Sequence, residues 1–333
     1  MSNIVYKINN SLYLYIMIFV LVILSLSTLF FNYFIIQNDL LKIVLDIRLP
    51  RYIVSLLIGA ILGICGCIMQ NITHNPLAEP NVLGIASCSS VGSIICLFFG
   101  YSAVIGGVIG SMLGLVILST SLVCKNNSKI SNLTTYILLK GLIINSICGA
   151  IITLILQISQ AEQLPSILFW IMGDLSYTSW NTTLYLSIPL ILSLFIFYLK
   201  RGKLNYLWVD ADKACSLGIS SNNLKLLLFV IVAILIGIST SQVGSIGFIG
   251  IISPYITQYM YRNFYKNNMA GNLDIINQIY YSAVIGALLV SISDGIAKNI
   301  IYPSVISISV ITSFIGVPIF WKILYDLHKK SYF

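Results

Sequence analysis

Long apolar runs separated by short polar interruptions dominate the chain. Apolar windows lie near residues 12–36, 51–70, 81–100, 104–123, 135–158, 182–199, 225–243, 248–261, 279–297 and 305–325. A helix crossing the hydrocarbon core of a bilayer needs about 20 predominantly apolar residues. The windows therefore predict an all-α integral membrane protein with about ten transmembrane helices, the eighth being short. Such a bundle is one cooperative body, so residues 1–333 are expected to form a single transmembrane domain. The first run follows Lys7, is too long for a signal-peptide core and lacks a small-residue cleavage site, so it reads as a retained first span.

Composition agrees with this pattern. Of 333 residues, 58% are hydrophobic and 8% are charged, and the mean hydropathy is +0.96. A soluble domain carries about 25% charged residues. The net charge of +8 does not indicate nucleic-acid binding, because the cations form small clusters between apolar runs rather than one basic face on polar surface. Their placement instead gives an orientation. With the N-terminus inside, the inner loops hold Lys7, Lys125, Lys129, Lys200, Arg201, Lys203, Lys213, Arg262, Lys266, Lys329 and Lys330. The outer loops hold Asp39, Asp46, Glu162, Asp174 and Asp294, with the cations Lys42, Arg48, Arg51 and Lys298. The positive-inside rule then favours both termini inside and an even number of spans. Arg48, Arg51 and Lys298 depart from that rule: they either snorkel at helix ends or form a cationic rim for an acidic partner.

Chemistry-bearing residues are sparse. The two histidines and ten acids form no paired carboxylates within a span, and no GxSxG or HExxH occurs. The seven cysteines show neither disulfide nor metal spacing, so they are expected to pack as small apolar groups, and no metal or cofactor is expected. Gly106, Gly110 and Gly114 share one helix face, as do Gly59 and Gly63, which predicts close helix contacts. Lys140, near the inner end of the fifth span, is expected to snorkel.

Two inner loops are unusual. Residues 73–80, Thr73-His74-Asn75-Pro76-Leu77-Ala78-Glu79-Pro80, carry two prolines that block helix continuation. His74 there is expected to be solvated. The second loop, 204–223, contains a stretch from Asp210 to Gly218 that reads as a short helix ending at glycine. Ala214 and Leu217 lie on one side of it, facing either the membrane interface or a cytosolic partner.

At this point the residues carry a resemblance. RLPRYIVSLLIGAILGICGCIMQNITHNPLAEPNVLGIASCSSVG at 48–92 closely resembles the FecCD family of permease subunits. LPSILFWIMGDLSYTSW at 164–180, DADKACSLGIS at 210–220, GSIGFIGIISP at 244–254 and IGVPIFWKIL at 315–324 resemble its later signatures, in the same order. The resemblance implies ten helices per subunit in an ABC importer of the bacterial cytoplasmic membrane, for iron–siderophore, haem or cobalamin. It also implies a second permease subunit (the same chain or a homologue), a cytosolic ABC ATPase dimer and an extracellular or periplasmic substrate-binding protein. Arg48, Arg51 and Lys298 match the positions that dock the binding protein, with lysine where the family usually has arginine. Asp212, Ala214, Leu217 and Gly218 match the ATPase-coupling loop. Asn75, Leu77, Thr134 and Thr135 match the cytoplasmic gate. The family's Pro-His and following Arg are replaced by Pro254-Tyr255 and Gln258. ATP hydrolysis is expected in the separate ATPase, so this chain is not expected to be an enzyme. An ion-coupled secondary transporter is a competing reading, which would need ion ligands near the bilayer midplane.

Overall fold

A computed structural model describes residues 42, 44–123, 130–162, 164–209, 221–264, 274–301 and 305–331. All regular structure among the described residues is helical. A π-helical turn, Val44–Arg48, leads into α1, Leu49–Thr73. There follow α2, Ile85–Phe98; α3, Ala103–Val123; α4, Ile130–Ile158; and the short α5, Leu164–Met172. Then come α6, Trp180–Leu199; α7, Arg201–Val209; α8, Ser221–Val243; α9, Ile249–Phe264; α10, Ile275–Asn299; and α11, Ile308–Ser331. The nine predicted windows from 51–70 onward all fall on helices, whereas the first, 12–36, lies outside the described residues. Among the described residues, six helices are long and apolar enough to cross a membrane: those over Val44–Thr73, Tyr136–Ile158, Trp180–Leu199, Asn223–Val243, Ile275–Asn299 and Ile308–Asp326. Ile85–Phe98 and Ala103–Ser119 are apolar but shorter.

α1 is the centre of the bundle. Its 25 residues span about 37 Å at 1.5 Å per residue, and it packs on α10, α9, α8 and α6. Pro50 stands in its first turn, where a missing N–H costs nothing. With few charges to direct association, backbone proximity decides which helices meet. A methyl group at Gly59 would land on the carbonyl oxygen of Gly286, and one at Gly286 on that of Gly59, so α1 and α10 touch main chain to main chain. Gly63 abuts Ser282 one turn on, and Gly66 abuts Gly250 of α9. The predicted stripe on α3 behaves alike: Gly106 meets Gly92, while Gly110 and Gly114 meet Cys88, all on α2.

Other expectations find their reasons here. Cys65, Cys67 and Cys148 are buried, free thiols in the packed interior. Lys140 lies with Nζ 4.9 Å from the ring centre of Tyr136, one turn toward the start of α4. Isoleucines and leucines are exposed along α4, including Leu142, Ile143, Ile147 and Leu154, as expected of surface in contact with lipid or another subunit.

Two boundaries differ from the sequence reading. The third window begins at 81, yet residues 81–84 are not helical. Pro80 precedes them, and Gly84 adopts φ 83°, a left-handed conformation that ends one direction of chain and starts α2 in another. The second inner loop begins later than predicted. Residues 204–209 continue α7, anchored by fully buried Leu204 and packed on α10, and 221–223 already belong to α8.

Candidate functional site

Two groups of polar side chains lie at opposite ends of α1. The first is ionic. Asp294 of α10 is buried, its side chain 3% exposed. Its Oδ1 accepts from Arg51 Nη2 at 2.7 Å and from Nε at 3.0 Å, so the guanidinium is gripped by one side edge. Oδ2 is held by Lys298 Nζ, one helical turn along α10. Arg51 Nη1 donates to Ser176 Oγ at 3.3 Å, in the segment between α5 and α6. Ser176 in turn donates its Oγ–H and its backbone N–H to Asp174 Oδ1, at 2.7 and 2.8 Å. The start of α1, the end of α10 and residues 174–176 are thus tied into one charged surface. Arg48 is half-buried one turn before Arg51. The structure therefore brings the three predicted rim cations to one end of the bundle, and two of them share one carboxylate. Sequence reasoning placed Asp294 only among the acids of the outer side. Its spacing to Lys298, i to i+4, was the available signal for one of its pairs.

The second group is mostly neutral. α1 ends at His74, which adopts φ 50°, ψ 35°. The backbone N–H groups of His74 and Asn75 reach back to the carbonyls of Asn71 and Gln70. His74 is exposed as expected, and partial burial together with the nearby Lys225 ammonium holds its pKa below the ordinary 6.5. Asn75 Oδ1 accepts from the Leu77 N–H at 2.9 Å, which folds the predicted gate segment into a tight turn. The side chains of Thr134 and Thr135 and the whole of Asp212, Ala214, Leu217 and Gly218 lie outside the described residues.

Beyond Leu77 the chain enters the interior, where each buried backbone polar group needs a partner. Glu79, 5% exposed, accepts from the backbone N–H of Phe248, which precedes α9, at 3.4 Å. A carboxylate there also meets the positive end of the α9 dipole. Asn81 Nδ2 donates to the Ile246 carbonyl at 2.7 Å. Asn145 of α4 donates to the carbonyls of Asn81 and Val82, at 3.0 and 3.2 Å, and accepts from Ser87 Oγ at 2.6 Å. Pro254 has no N–H, so the Gly250 carbonyl four residues earlier lacks its helical partner. Gln70 Nε2 of α1 approaches that carbonyl at 3.4 Å and the Ile251 carbonyl at 3.3 Å. Phe248 itself is left-handed, φ 70°, with its ring against Gly316 of α11 and edge-on to Phe320. The segments 79–82 and 246–251 are thereby latched together. Sequence reasoning missed Gln70, Asn81 and Asn145, and the orphan carbonyl that Pro254 creates was the signal pointing to one of them.

One departure from the resemblance acquires a physical account. Tyr255 donates its hydroxyl to Asp326 Oδ2 at 2.8 Å, joining α9 to α11, and its ring stacks on Tyr259, over which Lys322 Nζ lies at 4.9 Å. No structural reason emerges for Gln258. Among the described residues no group of three metal-ligating side chains occurs.

This arrangement, a helical bundle with a charged end and an internally satisfied break in its helices, has close relatives. Residues 10–326 match the FecCD transport family. The hemin transport system permease HmuU of Yersinia pestis is 31% identical over 86% of this chain and 84% of its own length. The vitamin B12 import permease BtuC of Salmonella paratyphi A is 30% identical over 84% of this chain and 82% of its own. A chain from an inward-facing metal-chelate-type ABC transporter superposes with a TM-score of 0.77 and 26% identity, covering 93% of this chain and 99% of the other. The chain belongs to the FecCD transport family. It is an ABC transporter permease, a multi-pass membrane protein of a class in which ATP hydrolysis lies in a separate subunit.

Proposed function

We propose that this permease forms the translocation path of an ATP-driven importer for a metal chelate, with iron–siderophore complexes first and haem or cobalamin next. The observation that carries the reading is the likeness along almost the whole chain to the metal-chelate-type transporter. Two permease subunits line the path, an ATPase dimer sits on the inner side and a substrate-binding protein docks on the outer side. Transport proceeds by alternating access, as a rigid-body change driven from the ATPase.

In this scheme the Arg51 end faces outward and the His74 end inward. The exposed Lys200, Arg201 and Lys203 follow α6 at the end opposite Ser176, as the positive-inside rule requires. Arg48, Arg51 and Lys298 receive the acidic binding protein. Asp212, Ala214, Leu217 and Gly218 engage the ATPase. Asn75, Leu77, Thr134 and Thr135 close the inner gate. An ion-coupled carrier is disfavoured, because the buried acids among the described residues, Glu79 and Asp294, are committed to a helix N-terminus and to two cations. Purification in mild detergent from native membranes tests the assembly: an ATPase and a binding protein should co-elute. Ferric-siderophore-loaded binding protein should stimulate ATP hydrolysis more than the same protein loaded with haem or cobalamin. A chain that elutes alone and transports with ATP depleted and an ion gradient intact contradicts the proposal.

A further inference from the structure

We propose that Asp294 is the positioning residue of the docking rim: it fixes Arg51 and Lys298 in one arrangement, so that removing this acid weakens the capture of an acidic protein surface. The inference rests on the outward-facing rim proposed above.

The carboxylate lies beneath its cations. Side-chain exposure rises from 3% at Asp294 to 11% at Arg51 and 26% at Lys298. Asp294 and Asp174 offset the charges of Arg51 and Lys298, and Arg48, one turn before Arg51, tips the group to positive. Asp294 holds Arg51 through Nε and Nη2, and Ser176, itself bonded to Asp174, holds it through Nη1. A guanidinium has five N–H donors. These contacts use three, leaving one donor on each terminal nitrogen to offer an incoming carboxylate a charge-assisted bond. Arg and Lys have high rotamer entropy, which an unheld rim would lose on docking. Here that loss has already occurred in the free permease, which is how preorganisation raises affinity. The opposing effect is repulsion between Asp294 and the partner's acid. It is weakened because the intervening cations are nearer to the partner than the buried carboxylate is.

The two effects predict opposite signs. The test uses the intact transporter in nanodiscs and the binding protein that co-purifies with it. Asp294→Asn should weaken docking about tenfold at low salt, and Asp294→Glu should recover most of the loss. Unchanged or tighter docking by a monodisperse Asp294→Asn transporter overturns the inference. Should that variant fail to fold, Asp294→Ser carries the same test: it is smaller and neutral and leaves both cations in the chain, so weaker docking supports the inference and unchanged or tighter docking overturns it. Arg51→Glu separates this inference from the reading beneath it. If Arg51→Glu leaves docking unchanged, the rim is not the docking surface. If it weakens docking while Asp294→Asn does not, only the positioning role is lost.

Discussion

At the Arg51 end of α1, three ionised side chains from two helices meet close to the surface. At the Gln70–Glu79 end, amides and one carboxylate meet backbone groups in the interior. Both ends join α1 to distant parts of the chain, yet they respond to different conditions. Charges that are partly exposed can be screened by salt and exchanged for those of a partner. Amides bonded to carbonyls in a buried break have no partner to exchange with, and their loss leaves unsatisfied polar groups. The charged end suits reversible docking. The neutral end suits a fixed latch between two interrupted helices, close to the proposed gate.

The contrast can be broken at its common support. Gly59→Val should push α1 from α10 and disturb both ends together, destabilising by about 3 kcal/mol or preventing folding. Monodisperse yield and thermal unfolding in detergent measure this, and a near-normal Tm would contradict the main-chain contact. Glu79→Ala should cost about 2–3 kcal/mol by leaving buried N–H groups unpaired, with little dependence on salt, whereas Glu79→Gln should keep an acceptor and lose less. Asp294→Ala should cost about 2 kcal/mol at low salt, below the usual range for buried pairs because Arg51 and Lys298 are partly exposed, and the loss should shrink at 1 M salt, where screening acts within about 3 Å. Equal salt dependence for Glu79→Ala and Asp294→Ala would erase the distinction between the ends.

Smaller effects sharpen the picture. Tyr255→Phe should lower stability by about 1 kcal/mol through loss of the bond to Asp326, read as a Tm shift that Asp326→Asn does not add to in full. His74→Gly should raise stability by up to about 1 kcal/mol, since glycine adopts the left-handed cap without strain. The gain should grow on acidification. The folded state lowers the His74 pKa, so below the ordinary 6.5 the unfolded chain binds more protons and the wild type loses stability as pH falls. Unfolding followed from pH 8 to pH 5 measures both parts.

Much of the bundle was legible because hydropathy reports what one helix needs from lipid. Nine windows found their helices, and the glycine spacings found the faces that touch. The cations Arg48, Arg51 and Lys298 were legible because they broke the charge asymmetry. The link from Arg51 to Asp294 was not, because it joins positions 243 residues apart and nothing local marks it. Residues 81–84 were assigned to a helix because they are apolar enough. The carbonyls of Asn81 and Val82 are instead satisfied by Asn145, and Asn81 in turn bonds the Ile246 carbonyl; the long-range bonds of these neutral residues leave no periodic trace. Tyr255 looked like an unexplained exchange until the α9–α11 contact supplied Asp326.

The most direct test of the central claim is uptake into proteoliposomes containing the co-purified ATPase and binding protein, using a radiolabelled ferric siderophore. ATP enclosed on the ATPase side should drive accumulation that persists when ionophores collapse every ion gradient. Accumulation that requires an ion gradient and proceeds without ATP would contradict the account.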